Sequence, residues 1–161
     1  MNWDEFGHWG KHISDWGAEY HKTLGDRPVR AQTAFGDTAA QLPNSPPEGG
    51  ESMDAIMEDF EAIVMPGITH WQHPRFFAYF PANAAPPSML AEMLVSTIAA
   101  QCMLWQTSPA ATEVETVMVD WLRQALGLAN GYVGVIQDSA SSATLSAVLT
   151  MRERATGYLS L

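Results

Sequence analysis

Apolar residues in the opening segment recur at alternating steps of three and four: Phe6, Trp9, Ile13, Trp16 and Tyr20. That spacing traces one face of an amphipathic helix. Asp4 and Glu5 sit where a helix dipole favours acids, and Gly25 with Pro28 ends the run. A stripe of four aromatics must be covered, by the chain's own core or by a helix packing across a dimer; the pattern leaves both open. Residues 43–51 (PNSPPEGGE) read as a linker. Ser52 then caps a helix reaching about Val64, with Ile56, Phe60, Ile63 and Val64 on its buried side, and Met65-Pro66-Gly67 stops it.

From Thr69 to Pro87 aromatics and prolines alternate without helical period, which predicts an ordered loop with short extended pieces. Pro86-Pro87-Ser88 opens a helix, apolar almost all round, expected to run to about Trp105. Ser108-Pro109 opens another that ends near Leu126-Gly127. The apolar run Tyr132 to Ile136 predicts a strand, followed by a turn and a helix over 141–154.

Composition sharpens this picture. Hydrophobic residues make up 47% and charged residues 16% of the 161 positions, a globular balance that argues against wholesale disorder. Six tryptophans and nine methionines exceed what a small isolated domain readily buries, which points to burial against another chain or segment. A net charge of −10 with no basic run argues against nucleic-acid binding. The single cysteine, Cys102, forms no internal disulfide and reads as an inert core residue of an apolar helix. Neither a signal-peptide core nor a membrane-length apolar run is present, so no membrane partner and a cytoplasmic location are expected.

Two places can carry chemistry. The turn Gln137-Asp138-Ser139-Ala140-Ser141 follows the expected strand and opens a helix, so its backbone N–H groups can meet a phosphate at the positive helix end. A serine-capped helix without ligand explains the same residues. The second place is the loop Thr69 to Pro81, with two histidines, an arginine and five aromatics, suited either to a flat substrate or to anchoring in a core. His70 and His73 lack a nearby third ligand, so no metal is expected. Glu113, Glu115 and Asp120 read as solvated, dipole-favoured acids.

Four segments, taken in order, resemble the aromatic-L-amino-acid decarboxylases, group II enzymes dependent on pyridoxal 5'-phosphate (PLP). They are Ile68 to Ala82 (ITHWQHPRFFAYFPA), Pro87 to Leu94 (PSMLAEML), Ser108 to Leu122 (SPAATEVETVMVDWL) with Trp105 before it, and Gly134 to Ser141 (GVIQDSAS). The resemblance covers essentially the whole chain. Glutamate decarboxylases share the His-Pro and Phe-Phe pieces but usually not the continuation Ala78 to Pro81, which favours the aromatic branch. The implied fold is mainly α in this chain: an N-terminal helical segment, then the beginning of the large α/β domain of a fold-type I PLP-dependent enzyme. Residues 1–85 would form the dimer-wrapping segment with the aromatic loop, and 86–161 the start of the PLP-binding domain.

By the same resemblance Ser139, Ala140 and Ser141 bind the PLP phosphate. Trp71, Tyr79, Phe80, Pro81 and Ala82 line the pocket of an aromatic amino acid, and Gln101 and Met103 reach into the partner subunit's pocket of a homodimer. Asp138 stands where the family usually has glycine, and a carboxylate there opposes a phosphate. Ala82 stands where many animal members have threonine. The family's Schiff-base lysine comes later in the sequence; the only lysines here are Lys11 and Lys22. The chain alone is therefore expected to be inactive and completed by a C-terminal segment or second chain. The completed enzyme would release an arylalkylamine and carbon dioxide. An aromatic aldehyde synthase of the same family, or a non-catalytic helical dimerisation fragment, are the competing readings.

Overall fold

The computed structural model describes residues 1–80 and 84–158. Five α-helices dominate: α1 (Trp3–Thr23), α2 (Met53–Asp59), α3 (Pro86–Ile98), α4 (Pro109–Ala125) and α5 (Ala140–Ala155). The chain divides into two compact units, Met1–Met89 and Leu90–Leu161. None of the described helices is long and apolar enough to cross a membrane.

In the first unit α1 starts on a reciprocal cap. Asn2 Oδ1 accepts from the amides of Asp4 and Glu5, both at 2.9 Å, while Glu5 Oε2 accepts from the Asn2 amide at 3.0 Å. The chain's own residues cover only part of its apolar stripe. Trp16 stacks on Tyr20 at 5.4 Å and meets the Phe60 ring edge-on at 5.4 Å, and Leu24 just past the helix is buried. Toward the amino end the stripe is more open, with Phe6 38% and Ile13 47% exposed and Trp9 half-buried.

Ser52 caps α2 by accepting from the Ala55 amide at 3.2 Å. The expected single helix to Val64 is modified: a π-helical turn occupies Phe60–Val64 and a 3-10 turn Met65–Gly67. The wider turn shifts the register after Asp59, so Phe60, Ile63 and Val64 are half-buried while Ile56, expected on the same side, is exposed.

Helix α3 stops at Ile98, short of the expected Trp105, because Ala99 adopts a left-handed φ of 50°. Cys102 consequently lies beyond the helix and is exposed, correcting its reading as a core residue. The apolar side chains of α3 are exposed too, Leu94 at 62% and Ile98 at 71%.

In the second unit α4 and α5 end alike. Gly127 and Gly157 both take φ +67°, and the residue after each donates back five positions: Leu128 to the Arg123 carbonyl at 3.1 Å, Tyr158 to the Glu153 carbonyl at 2.7 Å. The expected strand over Tyr132–Ile136 does not form; no strand occurs among the described residues. A strand needs a neighbour's backbone, and here the Ile136 amide donates instead to Glu115 Oε1 at 2.8 Å. Glu113, still exposed, likewise accepts from the Trp105 indole at 2.9 Å, so these two acids also serve as hydrogen-bond acceptors within the unit.

Gly127→Ala is expected to cost about 1 kcal/mol, since a Cβ disfavours its left-handed backbone. Urea unfolding of the two proteins measures it, and unchanged stability would mean that the α4 terminus relaxes without this conformation.

Candidate functional site

The aromatic loop is held from below by two buried imidazoles. His70 and His73 are only 4% and 3% exposed. The His70 amide donates to the Val29 carbonyl at 2.9 Å, and its Nδ1 shares a 2.8 Å hydrogen bond with the Tyr20 hydroxyl of α1. The His73 amide donates to the His70 carbonyl at 3.0 Å, and the Phe76 amide to the His73 carbonyl at 2.9 Å. His73 Nδ1 accepts from the Arg75 amide at 2.9 Å, which leaves the proton of a neutral ring on Nε2; that atom is buried without a partner. Both histidines thus shape the loop. Among the described residues no three His, Cys, Asp or Glu side chains gather as a metal site would require.

Around His70 lies a cluster that spacing alone did not single out. The Arg27 guanidinium sits 5.2 Å from the centre of the Tyr20 ring, a cation–π arrangement. Burial first, then the charge of Arg27 and the neighbouring His73, hold the His70 imidazole below its ordinary value of 6.5. Burial raises the Tyr20 phenol, with Arg27 opposing. Tyr20 carried a signal as the last aromatic of the α1 stripe. Arg27 carried none, because a lone arginine before a proline fits any turn.

On this base the loop presents its rings. Trp71 stacks against Phe76 at 5.0 Å and against Tyr79 at 5.5 Å, with interplanar angles of 28° and 17°. Tyr79 holds a left-handed φ of 54°, and its ring is exposed, as is that of Phe80. The structure therefore brings Trp71 and Tyr79 together. Pro81 and Ala82 lie outside the described residues.

The serine turn belongs to the second unit. Ser139 caps α5, its Oγ accepting from the Ser142 amide at 3.2 Å and lying 3.1 Å from Ser142 Oγ. The Ala143 amide bonds to the Ser139 carbonyl at 3.0 Å, whereas no acceptor is found for the Ala140 and Ser141 amides among the described residues. Two free, adjacent N–H groups at a positive helix end fit a phosphate, and the exposed Ser141 hydroxyl can add to them. Asp138, the residue before the cap, is exposed. Gln101 and Met103, expected within α3, lie in the irregular segment after it and are exposed.

With this geometry the chain matches the pyridoxal-dependent decarboxylase conserved domain over residues 36–159. It belongs to that family, whose cofactor is pyridoxal phosphate. Aromatic-L-amino-acid decarboxylase of Bos taurus is 42% identical over 167 residues, an alignment covering 99% of this chain and 34% of the bovine enzyme. Two solved structures superpose closely. Tryptophan decarboxylase of Catharanthus roseus in complex with L-tryptophan has a TM-score of 0.93 at 33% identity, covering 100% of this chain and 35% of its own. For 4-hydroxyphenylacetaldehyde synthase of Rhodiola rosea the TM-score is 0.92 at 36% identity, with 99% and 35% covered. The chain spans about a third of the length of these relatives.

The His70 pocket makes stability depend on pH. In the unfolded chain the imidazole titrates near 6.5, and in the fold it binds its proton less readily. Between those two values the unfolded state carries more protons. The contribution is thus complete above pH 6.5 and lost as pH falls through the folded value. Urea midpoints are expected to drop from about pH 7 to about pH 5, and less steeply in His70→Asn. Equal slopes in the two proteins would remove His70 from this role.

Proposed function

We propose that this chain forms part of an enzyme that removes the α-carboxyl group of an aromatic L-amino acid, giving an arylalkylamine and carbon dioxide. The observation that carries the reading is the stacked set Trp71, Phe76 and Tyr79, held on buried histidines with the exposed Phe80 beside it in sequence. Flat rings of this kind bind an aromatic side chain through stacking and exclude water from it. Trp71, Tyr79, Phe80, Pro81 and Ala82 form that wall in this reading.

Ser139, Ala140 and Ser141 hold the cofactor phosphate, Ser139 by ordering the turn and the next two residues by their free amides. Bound pyridoxal phosphate supplies an electron sink for the pair left on Cα when the carboxyl group departs. Neither lysine of this chain suits the anchoring role. Lys11 pairs with Asp15 at 2.6 Å and Lys22 with Glu19 at 3.7 Å, all exposed along α1. The anchoring lysine and the remaining catalytic groups then belong to the rest of the protein, and the chain by itself is inactive. The open end of α1, with Gln101 and Met103, serves as contact surface for a second copy in a cytoplasmic homodimer. The Rhodiola synthase, as near in structure as the tryptophan decarboxylase, supports a second outcome, release of an arylacetaldehyde.

Full-length protein loaded with PLP and given L-tryptophan, L-tyrosine or L-phenylalanine is expected to release carbon dioxide and the matching amine. Aldehyde in place of amine would select the second outcome, and turnover of glutamate alone would defeat both. In the same protein Asp138→Gly is expected to tighten PLP binding by about five-fold, the effect of removing a screened like charge beside the phosphate. Fluorescence titration with PLP measures it; unchanged affinity would mean that the carboxylate turns away from the phosphate.

A further inference from the structure

We propose that Tyr20 is a positioning residue for the aromatic wall: its phenol, bonded to His70 Nδ1, fixes the loop that presents Trp71 and Tyr79. The inference rests on the reading of that loop as the substrate's wall. Tyr20 acts on the wall through His70, whose Nδ1 its hydroxyl meets at 2.8 Å.

The geometry supplies a continuous line of contacts. The Tyr20 ring is fixed on α1 by stacking on Trp16 at 5.4 Å and by Arg27 at 5.2 Å. Trp16 is itself held, its indole donating to Glu61 Oε1 at 2.7 Å. From the Tyr20 hydroxyl the line crosses to His70 Nδ1 at 2.8 Å. It continues from the His70 carbonyl to the His73 amide at 3.0 Å and from the His73 carbonyl to the Phe76 amide at 2.9 Å. Phe76 stacks on Trp71 at 5.0 Å, and Trp71 on Tyr79 at 5.5 Å. A buried imidazole whose nitrogen loses its partner turns or drags its backbone to find another, because an unsatisfied buried polar group is costly. A turn at His70 moves the wall, since Trp71 is the next residue.

The test uses the full-length enzyme loaded with PLP and three variants. Tyr20→Phe keeps the ring and removes the hydroxyl. His70→Asn places an amide atom near the former Nδ1 and can retain the bond. Glu61→Leu loosens the Trp16 end of the same cluster without touching His70. Tyr20→Phe is expected to raise KM for the aromatic substrate about five-fold with kcat within about two-fold. It should also speed amide hydrogen exchange at His70, His73 and Phe76. His70→Asn should hold KM closer to the parent, and Glu61→Leu should leave KM and loop exchange unchanged even where it lowers Tm.

The proposal is overturned if Tyr20→Phe leaves loop exchange and KM at parental values, or if Glu61→Leu reproduces both shifts. Should Tyr20→Phe fail to fold, the ordering of KM and loop exchange in His70→Asn and Glu61→Leu decides. A parent enzyme that turns over no aromatic amino acid would defeat the wall itself, while the exchange rates would still show whether Tyr20 holds the loop.

Discussion

Two imidazoles buried beneath a loop constrain what surrounds them, because a ring nitrogen removed from water is costly to leave unpaired. In the Met1–Met89 unit the Tyr20 hydroxyl meets one such demand at His70, and the Arg75 amide meets another at His73. The consequences spread outward. Tyr20 must lie on the inner side of α1, so Trp16 and Leu24 follow it inward, while Trp3 and Phe6, further along the helix, stay exposed. Val29 must run beside His70 to accept its amide, which fixes the chain just after α1. A loop without helix or strand acquires a defined shape in this way from side chains of other elements.

The Leu90–Leu161 unit is organised differently. Its helices are specified locally, by Ser139 at the start of α5 and by paired glycine endings on α4 and α5, while its large apolar side chains remain exposed. Glu115 and Glu113 add two ties, to a backbone amide and to an indole. Local signals and a few long side chains determine where elements begin and end there.

That contrast explains what was legible in the sequence. The starts of α2, α3, α4 and α5 could be read because a serine cap or a proline acts within one turn, and that of α1 from the acids Asp4 and Glu5. The end of α3 could not: nothing in Ala99 announces a left-handed backbone, and the apolar run continues past it. The strand at Tyr132–Ile136 was read from residue type, but pairing depends on a neighbour rather than on the run itself. Of the site, the free amides after Ser139 followed from a strand–turn–helix pattern, though a bare serine cap explained the pattern equally well. The long motif from Ile68 to Ala82 identified the family. The histidines' work in shaping the loop was hidden, because Tyr20 lies far from His70 in sequence and Arg27 looks like any turn residue.

The left-handed backbone of Tyr79 gives its stack with Trp71 a second meaning. A non-glycine residue in that region costs about 1–2 kcal/mol, and a well-placed aromatic pair returns about 0.5–1.5 kcal/mol. The two are of the same order, so the ring contact and the bent backbone stand or fall together. Position 79 cannot change independently of position 71. An aliphatic group there loses the ring contact while the cost of the left-handed backbone remains, so a change at 79 is tolerated best with a matching change at 71.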